Sequence, residues 1–343
     1  MRSKQPTIWD IAIKLNVSIS TVSRALRNAP DISPETKKAV LDLAHQLDYQ
    51  PNTIATSLRK NKTNIIGVMV PEFIHAFFPN VILGVQEAAN EAGYKVMTMQ
   101  SGESLEIEKH NLQAMISSRV DGLILAITRE TDDYEHITSA QRKGLPIVFF
   151  NRIVDELPGS KVMVDDYQGA FMAVDHLIRT GCRRIAHLAG PQNLTIGRNR
   201  LNGYLDALKA HQFPIDDSLI MPCNFMEGKS RLYTQQLLDR PDRPDALFAV
   251  NDPTAIEALI CIQEHGLRIP NDISLVGFSN APHSAFVTPP MTAVVQPIHV
   301  MGQLAAELLM RQITEGQRFI PETHVLTTQL IVRKSTLNTM DKS

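Results

Sequence analysis

Apolar residues recur at helical spacing in the first fifty residues of the chain. The pattern predicts a first helix with an apolar face over residues 8–15 and a second short helix over about 20–26. Ser33 and Pro34 have the residue types that favour a helix N-cap and a first helical position, so a third helix should begin there and continue to about Leu47. We therefore expect a small all-α unit.

The pattern changes at Asn64, after which short apolar segments alternate with amphipathic stretches of helical length. The expected strands are residues 65–70, 94–99, 122–127 and 146–150 in a first series, and 184–190, 246–250 and 273–278 in a second series that begins near Val162. Such alternation is typical of a doubly wound parallel sheet, so two series predict two similar α/β lobes. A tail with a strand at 292–297, a helix to Glu315 and strands through Val332 should cross back between them. The ligand site of such a hinged clamp would be the cleft at the carboxyl ends of the strands.

Charge is distributed unevenly along the 343 residues, although the formal net charge is only −2. Residues 1–62 contain ten Lys and Arg against five Asp and Glu, whereas the rest of the chain contains 24 against 31. A basic segment joined to an acidic body suits a phosphate-binding module carried by a domain that does not bind nucleic acid. Random drift of charge along the chain would give the same numbers.

Several classes of protein are disfavoured by what the sequence lacks. The three cysteines Cys182, Cys223 and Cys261 are far apart and include no Cys-x-x-Cys pair, which argues against a disulfide framework and a zinc or other metal site. None of the common nucleotide-binding, hydrolase or metalloprotease motifs is present, so we expect neither an enzyme nor a cofactor. The first 15 residues lack an apolar core and no apolar run approaches ~20 residues, so we expect a cytoplasmic protein.

The strongest local signal is at residues 7–28. The second predicted helix would present Ser20, Thr21, Ser23 and Arg24, which are small hydrogen-bond donors and one long cation. Such a surface suits a helix in the DNA major groove, where hydroxyls hold phosphates and Arg pairs with guanine. Spacing alone is equally consistent with a three-helix dimerisation module whose polar face is solvated.

A resemblance to a known family decides between these alternatives. The chain closely resembles the lactose-repressor (LacI) family in its segments D-I-A at 10–12, V-S-x-S-T-V-S-R-A-L at 17–26, I-S-P-E-T at 32–36, Y-Q-P-N-T-I-A-T-S-L-R at 49–59, H-L-I-R-T-G-C-R-R-I-A-H-L-A-G-P at 176–191, R-x-x-G at 200–203, V-N-D at 250–252 and I-S-L-V-G-F at 273–278. The matches keep their order over nearly the whole chain.

The resemblance implies a set of DNA-binding residues. Base contacts carry over to the second helix, and Thr7 matches a position that contacts the DNA backbone. Residues 51–62 match a hinge helix and linker, in which Leu58 would wedge into the minor groove unless it is only a packing residue of the linker. The complete set of candidates is Thr7, Ser18, Ile19, Ser20, Thr21, Ser23, Arg24, Asn52 and Leu58.

The resemblance also implies effector contacts in the cleft. Phe77, Phe78 and Phe225 match regions that place aromatic rings over a ligand; the less favoured alternative for each is a core residue. Arg200 matches a ligand-binding arginine, whose planar fork can grip hydroxyls or a carboxylate. The remaining candidates lie at strand ends or at the predicted crossing: Asn151, Arg152, Asn251, Asp252, Ser279 and Gln296.

One departure from the family affects the expected ligand. The family usually has Asp after V-G-F, whereas this chain has Ser279 and Asn280. Losing a carboxylate while keeping Arg152, Arg198 and Arg200 would make the cleft less negative, which points to an acidic or phosphorylated sugar. Surface salt bridges of these arginines would remove that reason.

The implied architecture is a helix-turn-helix head on a two-lobed effector domain like a periplasmic binding protein. We expect a DNA-binding domain at 1–50, a hinge at 51–62 and an effector-binding, dimerisation domain at 63–343. Within the last, lobe one should comprise about 63–161 and 293–322, and lobe two about 162–292 and 323–337.

The implied function is regulation of transcription. The chain would be a dimeric repressor of an operator, switched by a small sugar-type effector with a coupling of ~1–3 kcal/mol. Whether the sugar releases the DNA or acts as a corepressor stays open. A solute-binding protein for sugar transport shares the clamp, but it would need export and would leave the first 60 residues without a role.

Overall fold

The described part of the first unit, residues 6–49, is a compact set of three helices. The computed structural model describes residues 6–49 and 62–336 and divides the chain into two compact units, with the boundary after Thr63. The helices of the first unit are α1 (Ile8–Leu15), α2 (Ile19–Leu26) and α3 (Pro34–Gln46). Their core is aliphatic and consists of Ile11, Ala12, Val22, Ala25, Val40 and Ala44.

Local residue types explain the helix boundaries of this unit. Asn16 ends α1 in the left-handed conformation that Asn tolerates, and its N–H bonds back to carbonyls of the last turn. Ser18 is the N-cap of α2, so that helix begins at Ile19, one residue before the predicted start. Ser33 caps α3 through its hydroxyl, which accepts a hydrogen bond from Thr36 N, and Pro34 is the first helical residue, as predicted.

The second unit contains two sheets of six strands each, both covered by helices. In the first lobe the strands are β1 (Ile65–Val70), β2 (Lys95–Gln100), β3 (Gly122–Leu125), β4 (Ile147–Phe150), β5 (Ser160–Val164) and β11 (Thr323–Leu326), and their order is β11-β5-β4-β3-β1-β2. All of these pairs are parallel. The helices of this lobe are α4 (Phe77–Glu91), α5 (Leu105–Ser117), α6 (Glu135–Arg142) and α11 (Ile298–Glu315).

The second lobe repeats the plan with one antiparallel edge. Its strands are β6 (Ile185–Ala189), β7 (Ile220–Pro222), β8 (Ala246–Ala249), β9 (Ser274–Ser279), β10 (Thr292–Val295) and β12 (Gln329–Ile331), in the order β12-β10-β9-β8-β6-β7. Only the β10–β12 pair is antiparallel among these described strands. The helices are α7 (Asp166–Arg179), α8 (Thr195–Ala210), α9 (Lys229–Leu238) and α10 (Asp252–Glu264). The predicted fold class, a small helical head and two doubly wound sheets, is confirmed.

The lobe boundaries differ from those predicted. Strands β5 and β11 pair with each other in the first sheet, whereas β10 pairs with β9 in the second. The expectation that lobe two begins at 162 and resumes at 323, and that lobe one resumes at 293, is therefore wrong. Alternation of strands and helices predicts a strand but does not specify which of two similar sheets it joins.

Three chain segments connect the lobes. The chain passes from β5 to α7, from β10 to α11, and from β11 to β12. The first and third crossings are joined, since Asp165 N donates to Leu326 O at 2.9 Å. Three crossings of this kind make the two lobes a hinged pair, with the carboxyl ends of the parallel strands facing the cleft.

The glycine of the R-x-x-G motif is needed for helix packing. A Cβ at Gly203 on α8 would lie 2.3 Å from the Tyr167 carbonyl oxygen of α7. Only glycine allows the two helices to approach this closely. Strand β7 and helix α9 were not predicted, because β7 has three residues and α9 has a mixed polar pattern.

No described helix is both long and apolar enough to span a membrane.

Candidate DNA-reading helix and effector cleft

The start of helix α2 presents a cluster of hydroxyl groups. Ser18 Oγ accepts a hydrogen bond from Thr21 N at 3.0 Å, and it lies 2.7 Å from Ser20 Oγ and 2.8 Å from Thr21 Oγ1. Ser18 and Ser20 are exposed, while Ile19 and Thr21 are half-buried. Hydroxyls at an exposed helix N-terminus, where the helix dipole is positive, suit contact with phosphate oxygens.

The cationic end of α2 is held by one exposed ion pair and by local hydrogen bonds. Arg24 pairs with Asp31, and both side chains are about half exposed. Arg27 donates from Nε to Ser23 O at 2.9 Å and from Nη2 to Ser23 Oγ at 3.1 Å. Exposed pairs of this kind contribute little to stability, so both guanidinium groups can exchange their partners for DNA. Arg27 was not among the predicted contacts, although its position one residue after α2 is a usable signal.

The start of α1 is fixed by a capping box. Thr7 N and Thr7 Oγ1 both donate to Asp10 Oδ2, each at 2.7 Å, and Thr7 is exposed. Trp9, the only Trp of the chain, is 62% exposed on the same helix. The predicted contacts Asn52 and Leu58 lie outside the described residues.

The aromatic candidates of the cleft divide between core and wall. Phe78 is buried in the core of the first lobe, and its ring meets that of Phe77 edge to face, with the centroids 5.1 Å apart. Phe77 is half-buried and lines a cavity. Phe225 follows β7 in the left-handed conformation and packs against the apolar cluster of the first lobe.

Arg152 is held by a carboxylate of its own lobe. Its Nη1 and Nη2 donate to the two oxygens of Glu103, both at 2.8 Å, and both side chains are nearly buried. Burial raises the pKa of Glu103, but the charge and hydrogen bonds of Arg152 outweigh it and leave that pKa below its usual value. Asn151, which precedes Arg152, is buried and ends β4 with a positive φ of 54°.

Arg200 lies in the core of the second lobe. Its Nε donates to Asp166 Oδ1 at 2.8 Å, its Nη1 bonds to the Val250 carbonyl oxygen, and its guanidinium carbon is 3.7 Å from the centroid of the Phe278 ring. Burial raises the pKa of Asp166, and Arg200 offsets part of that rise. The predicted ligand-binding arginine is therefore a member of a buried ion pair.

Asn251 and Asp252 make local structural contacts at the start of α10. Asn251 is the N-cap, and its Oδ1 accepts a hydrogen bond from Thr254 N at 3.0 Å. Asp252 Oδ2 accepts from Ala281 N at 2.5 Å and from Ser284 Oγ at 2.7 Å. Burial raises the pKa of Asp252, and these hydrogen bonds oppose the rise. Asn251 thereby caps α10, and Asp252 fixes the loop that follows β9.

Ser279 and Gln296 meet across the strand ends of the second lobe. Gln296 Nε2 donates to Ser279 Oγ at 2.8 Å, while the buried Oε1 of Gln296 has no partner among the described residues. Both side chains line a cavity of about 370 Å³ together with Phe77. The structure thus brings three predicted candidates together at one cavity, and it does not place Arg152, Arg200, Asn251 or Asp252 in its wall.

The same cavity has wall residues that the sequence did not indicate. Asn80 and Ala76 come from the start of α4, and Ile298 and Val300 come from the start of α11. None of the described residues that line the cavity is Asp, Glu, Lys or Arg, and the one histidine, His299, has its Nε2 3.0 Å from a Glu87 oxygen. The wall is neutral and mainly apolar, with amide and hydroxyl groups.

Comparisons with known proteins agree on both units. A family model described as bacterial regulatory proteins, lacI family, matches residues 7–52, and a model of a periplasmic binding protein-like domain matches residues 174–336. The HTH-type transcriptional repressor CytR of Escherichia coli strain K12 is 33% identical over 330 residues, which is 96% of either chain. Among solved structures, a complex of the transcriptional regulator CelR with cellobiose is 32% identical, with a TM-score of 0.74 and coverage of 96% of this chain and 99% of that one. The lac repressor dimer bound to operator and anti-inducer is 26% identical, with a TM-score of 0.87 and coverage of 98% of this chain and 100% of that one.

Proposed function

The chain belongs to the LacI family of bacterial regulatory proteins, and from this premise we propose that it is an operator-binding repressor controlled by a neutral carbohydrate in the cleft of its second unit. Helix α2 would read the operator through Ser18, Ser20 and Arg24 in the major groove. Such a regulator acts on chromosomal DNA, so we expect it in the cytoplasm, and it would return its effector chemically unchanged.

The observation that carries the effector proposal is the cavity beside Phe77. Gln296 Oε1 is buried there and has no partner in residues 6–49 and 62–336. Ser279 Oγ already accepts from Gln296 Nε2, so the Ser279 hydroxyl can donate to a ligand. A buried acceptor without a partner is costly, and a ligand hydroxyl would satisfy it. Apolar side chains of the wall suit the C–H faces of a sugar, and the volume of about 370 Å³ lies in the range of small-molecule sites.

The arginines that favoured an acidic effector all lie beside carboxylates. Arg152 is paired with Glu103, Arg200 with Asp166, and Arg198 Nη2 is 3.7 Å from Asp155 Oδ2. The cleft therefore has no excess of positive charge to attract an anion. We infer a neutral, hydroxyl-rich effector in place of the acidic sugar suggested by the sequence.

A homodimer is the proposed assembly. The related lac repressor was solved as a dimer on its operator. Large apolar side chains are exposed on the second unit of this chain, among them Ile74 at 87%, Phe286 at 83% and Leu83 on α4. These side chains are candidates for a subunit interface, and a two-fold dimer like that of the lac repressor would present two heads to a two-fold symmetric operator.

The test joins effector binding to DNA binding. Duplexes that the full chain selects from a random pool serve as the operator, and neutral, acidic and phosphorylated sugars are screened by thermal shift. We expect a neutral sugar to raise the melting temperature and to change operator affinity about 5- to 150-fold. The Arg24→Ala variant should lose operator binding and keep the thermal shift, while Gln296→Leu should do the reverse.

Two results would count against the proposal. If only anionic sugars shift the melting temperature, the neutral effector is wrong. If a sugar binds but operator affinity does not change, the cleft does not control the head.

A further inference from the structure

Arg152 contacts aromatic rings from both lobes of the second unit. It follows β4 in the first lobe, and its guanidinium carbon lies 5.6 Å from the centroid of Phe78 in the same lobe. The same carbon lies 5.1 Å from the centroid of Phe225, which belongs to the second lobe. Both distances are within the range of cation–π attraction, which is strongest where water is excluded.

Glu103 fixes the position of the Arg152 guanidinium. Two parallel hydrogen bonds of 2.8 Å join the two groups, and a third, from Arg129 N at 2.9 Å, reaches the same carboxylate. A bidentate pair of this kind sets the plane of the guanidinium as well as its place. Arg152 is therefore anchored in the first lobe, and its contact with Phe225 is a contact between lobes.

Arg129 makes a second connection at the same place. Its Nη1 donates to the Phe225 carbonyl oxygen at 3.0 Å, and its own carbonyl oxygen accepts from Asn193 Nδ2 at 2.7 Å. Phe225 and Asn193 both follow strands of the second lobe. Glu103 thus holds both arginines that reach across the cleft: it binds the side chain of Arg152 and the backbone N–H of Arg129.

Apolar side chains complete the contact around this polar bridge. Leu194 and Ile196 of the second lobe are buried in the same apolar cluster as Ile127, Ile153 and Val154 of the first lobe. These contacts are made by the protein's own groups, and they exclude water from the bridge. Exclusion of water strengthens the electrostatic part of the interaction.

We propose that Arg152, anchored by Glu103 and supported by Arg129, is a built-in bridge that holds the two lobes together at Phe225. The bridge contacts both lobes at once, as a bound ligand does in a hinged two-lobed protein. The closed arrangement of the lobes is then favoured by the chain itself, and an effector adjusts an equilibrium that already lies toward closure. The inference concerns lobe closure and does not depend on the proposed effector or on operator binding.

The experiment measures lobe separation in the full chain without DNA or sugar. Spin labels are placed on cysteines introduced at two exposed sites, Glu91 at the end of α4 and Lys209 near the end of α8, and the distance is measured by pulsed electron paramagnetic resonance. The three native cysteines are buried and should not react. In Arg152→Ala we expect a second, longer distance, with the ratio of open to closed lobes raised about tenfold.

Chemical rescue separates a bridge from a general packing role. Ethylguanidine, which has the atoms that Arg152→Ala removes beyond Cβ, should restore the short distance in this variant, because it supplies the missing cation beside Glu103 and the two rings. Ethylurea, a neutral molecule of similar shape, should not. Rescue of equal size by both compounds would overturn the proposal, and so would failure of both.

A second variant tests the proposal even if Arg152→Ala folds poorly. Arg152→Met with Glu103→Gln removes the bridge without leaving a buried charge and should also populate the longer distance. The control Arg142→Met removes an exposed arginine of α6 and should leave the distance unchanged. A distribution like that of the unmodified chain in both Arg152 variants would overturn the proposal.

Discussion

Replacing Arg200 tests whether this arginine stabilises the second lobe or binds the effector. Its guanidinium and the Asp166 carboxylate are within 2.6 Å, and the two side chains are only 3% and 1% exposed. Within the part of the chain that the structure describes, Asp166 Oδ2 has no hydrogen-bond partner, so Arg200 is the main compensation for its charge. The Arg200→Met variant keeps much of the apolar length and removes that compensation.

The expected loss of stability is large for a single substitution. Removing one member of a buried ion pair leaves an uncompensated charge and costs about 3–5 kcal/mol. The Asp166→Asn, Arg200→Met double variant leaves no buried charge, so it should lose about 1–3 kcal/mol, mainly from hydrogen bonds. The double variant should therefore be more stable than Arg200→Met alone.

Urea denaturation of the full chain measures these differences for the two units separately. Far-UV circular dichroism follows mainly the second unit, which holds eight of the eleven described helices. Fluorescence of Trp9 follows the first unit, because it is the only Trp. Arg198→Met is the matched control, since Arg198 is half exposed and should contribute less than about 1 kcal/mol.

The reasoning fails if Arg200→Met unfolds at the same urea concentration as the unmodified chain and instead abolishes the response to an effector. Arg200 would then be a ligand-binding residue, as the sequence suggested. It also fails if the double variant is the less stable of the two, because a buried unpaired charge would then not be the main cost.

Three further predictions concern other parts of the molecule. Ser18→Ala removes the N-cap of α2, so the urea midpoint of Trp9 fluorescence should fall by an amount equivalent to about 1 kcal/mol, with Ser33→Thr as a conservative control. Burial lowers the pKa of His187 from 6.5 to about 4, so as the pH falls from 6.5 the unfolded chain takes up a proton before the folded chain does. The free energy of unfolding should therefore decrease between pH 6.5 and 4, by on the order of 3 kcal/mol at most. An equally steep pH profile in the His187→Gln variant would contradict this prediction. Leu83→Asp should convert the dimer to a monomer in sedimentation experiments, and an unchanged dimer would exclude α4 from the interface.

Local chemistry explains which parts of the fold were predictable. Ser33 and Pro34 start α3 through interactions within four residues, and the sequence shows them directly. The buried strands were predictable because both faces of a covered parallel strand are apolar. The sheet membership of β5, β10 and β11 was not predictable, because it depends on pairing between segments that are far apart in sequence.

The cleft was predicted less well than the fold for the same reason. The sequence suggested that Arg152 and Arg200 bind the effector, but each is paired with a carboxylate, Glu103 and Asp166, that is 49 or 34 residues away. When the sequence does not show which residue lies beside an arginine, the arginine is as consistent with a ligand-binding role as with an ion pair inside the protein. Gln296 was identified because it lies at the predicted crossing, and the lack of a partner for its Oε1 among the described residues became evident only in three dimensions.

The placement of the last strands has a consequence for synthesis of the protein on the ribosome. The three described helices of the first unit are contiguous and lie within residues 8–46, so this part of the unit can fold early in translation. Neither sheet of the second unit is complete until β11 and β12 at residues 323–331 have left the exit tunnel. The nascent chain thus carries a finished operator-reading unit before it has a finished control unit. Slow translation near the end of the message would lengthen that interval.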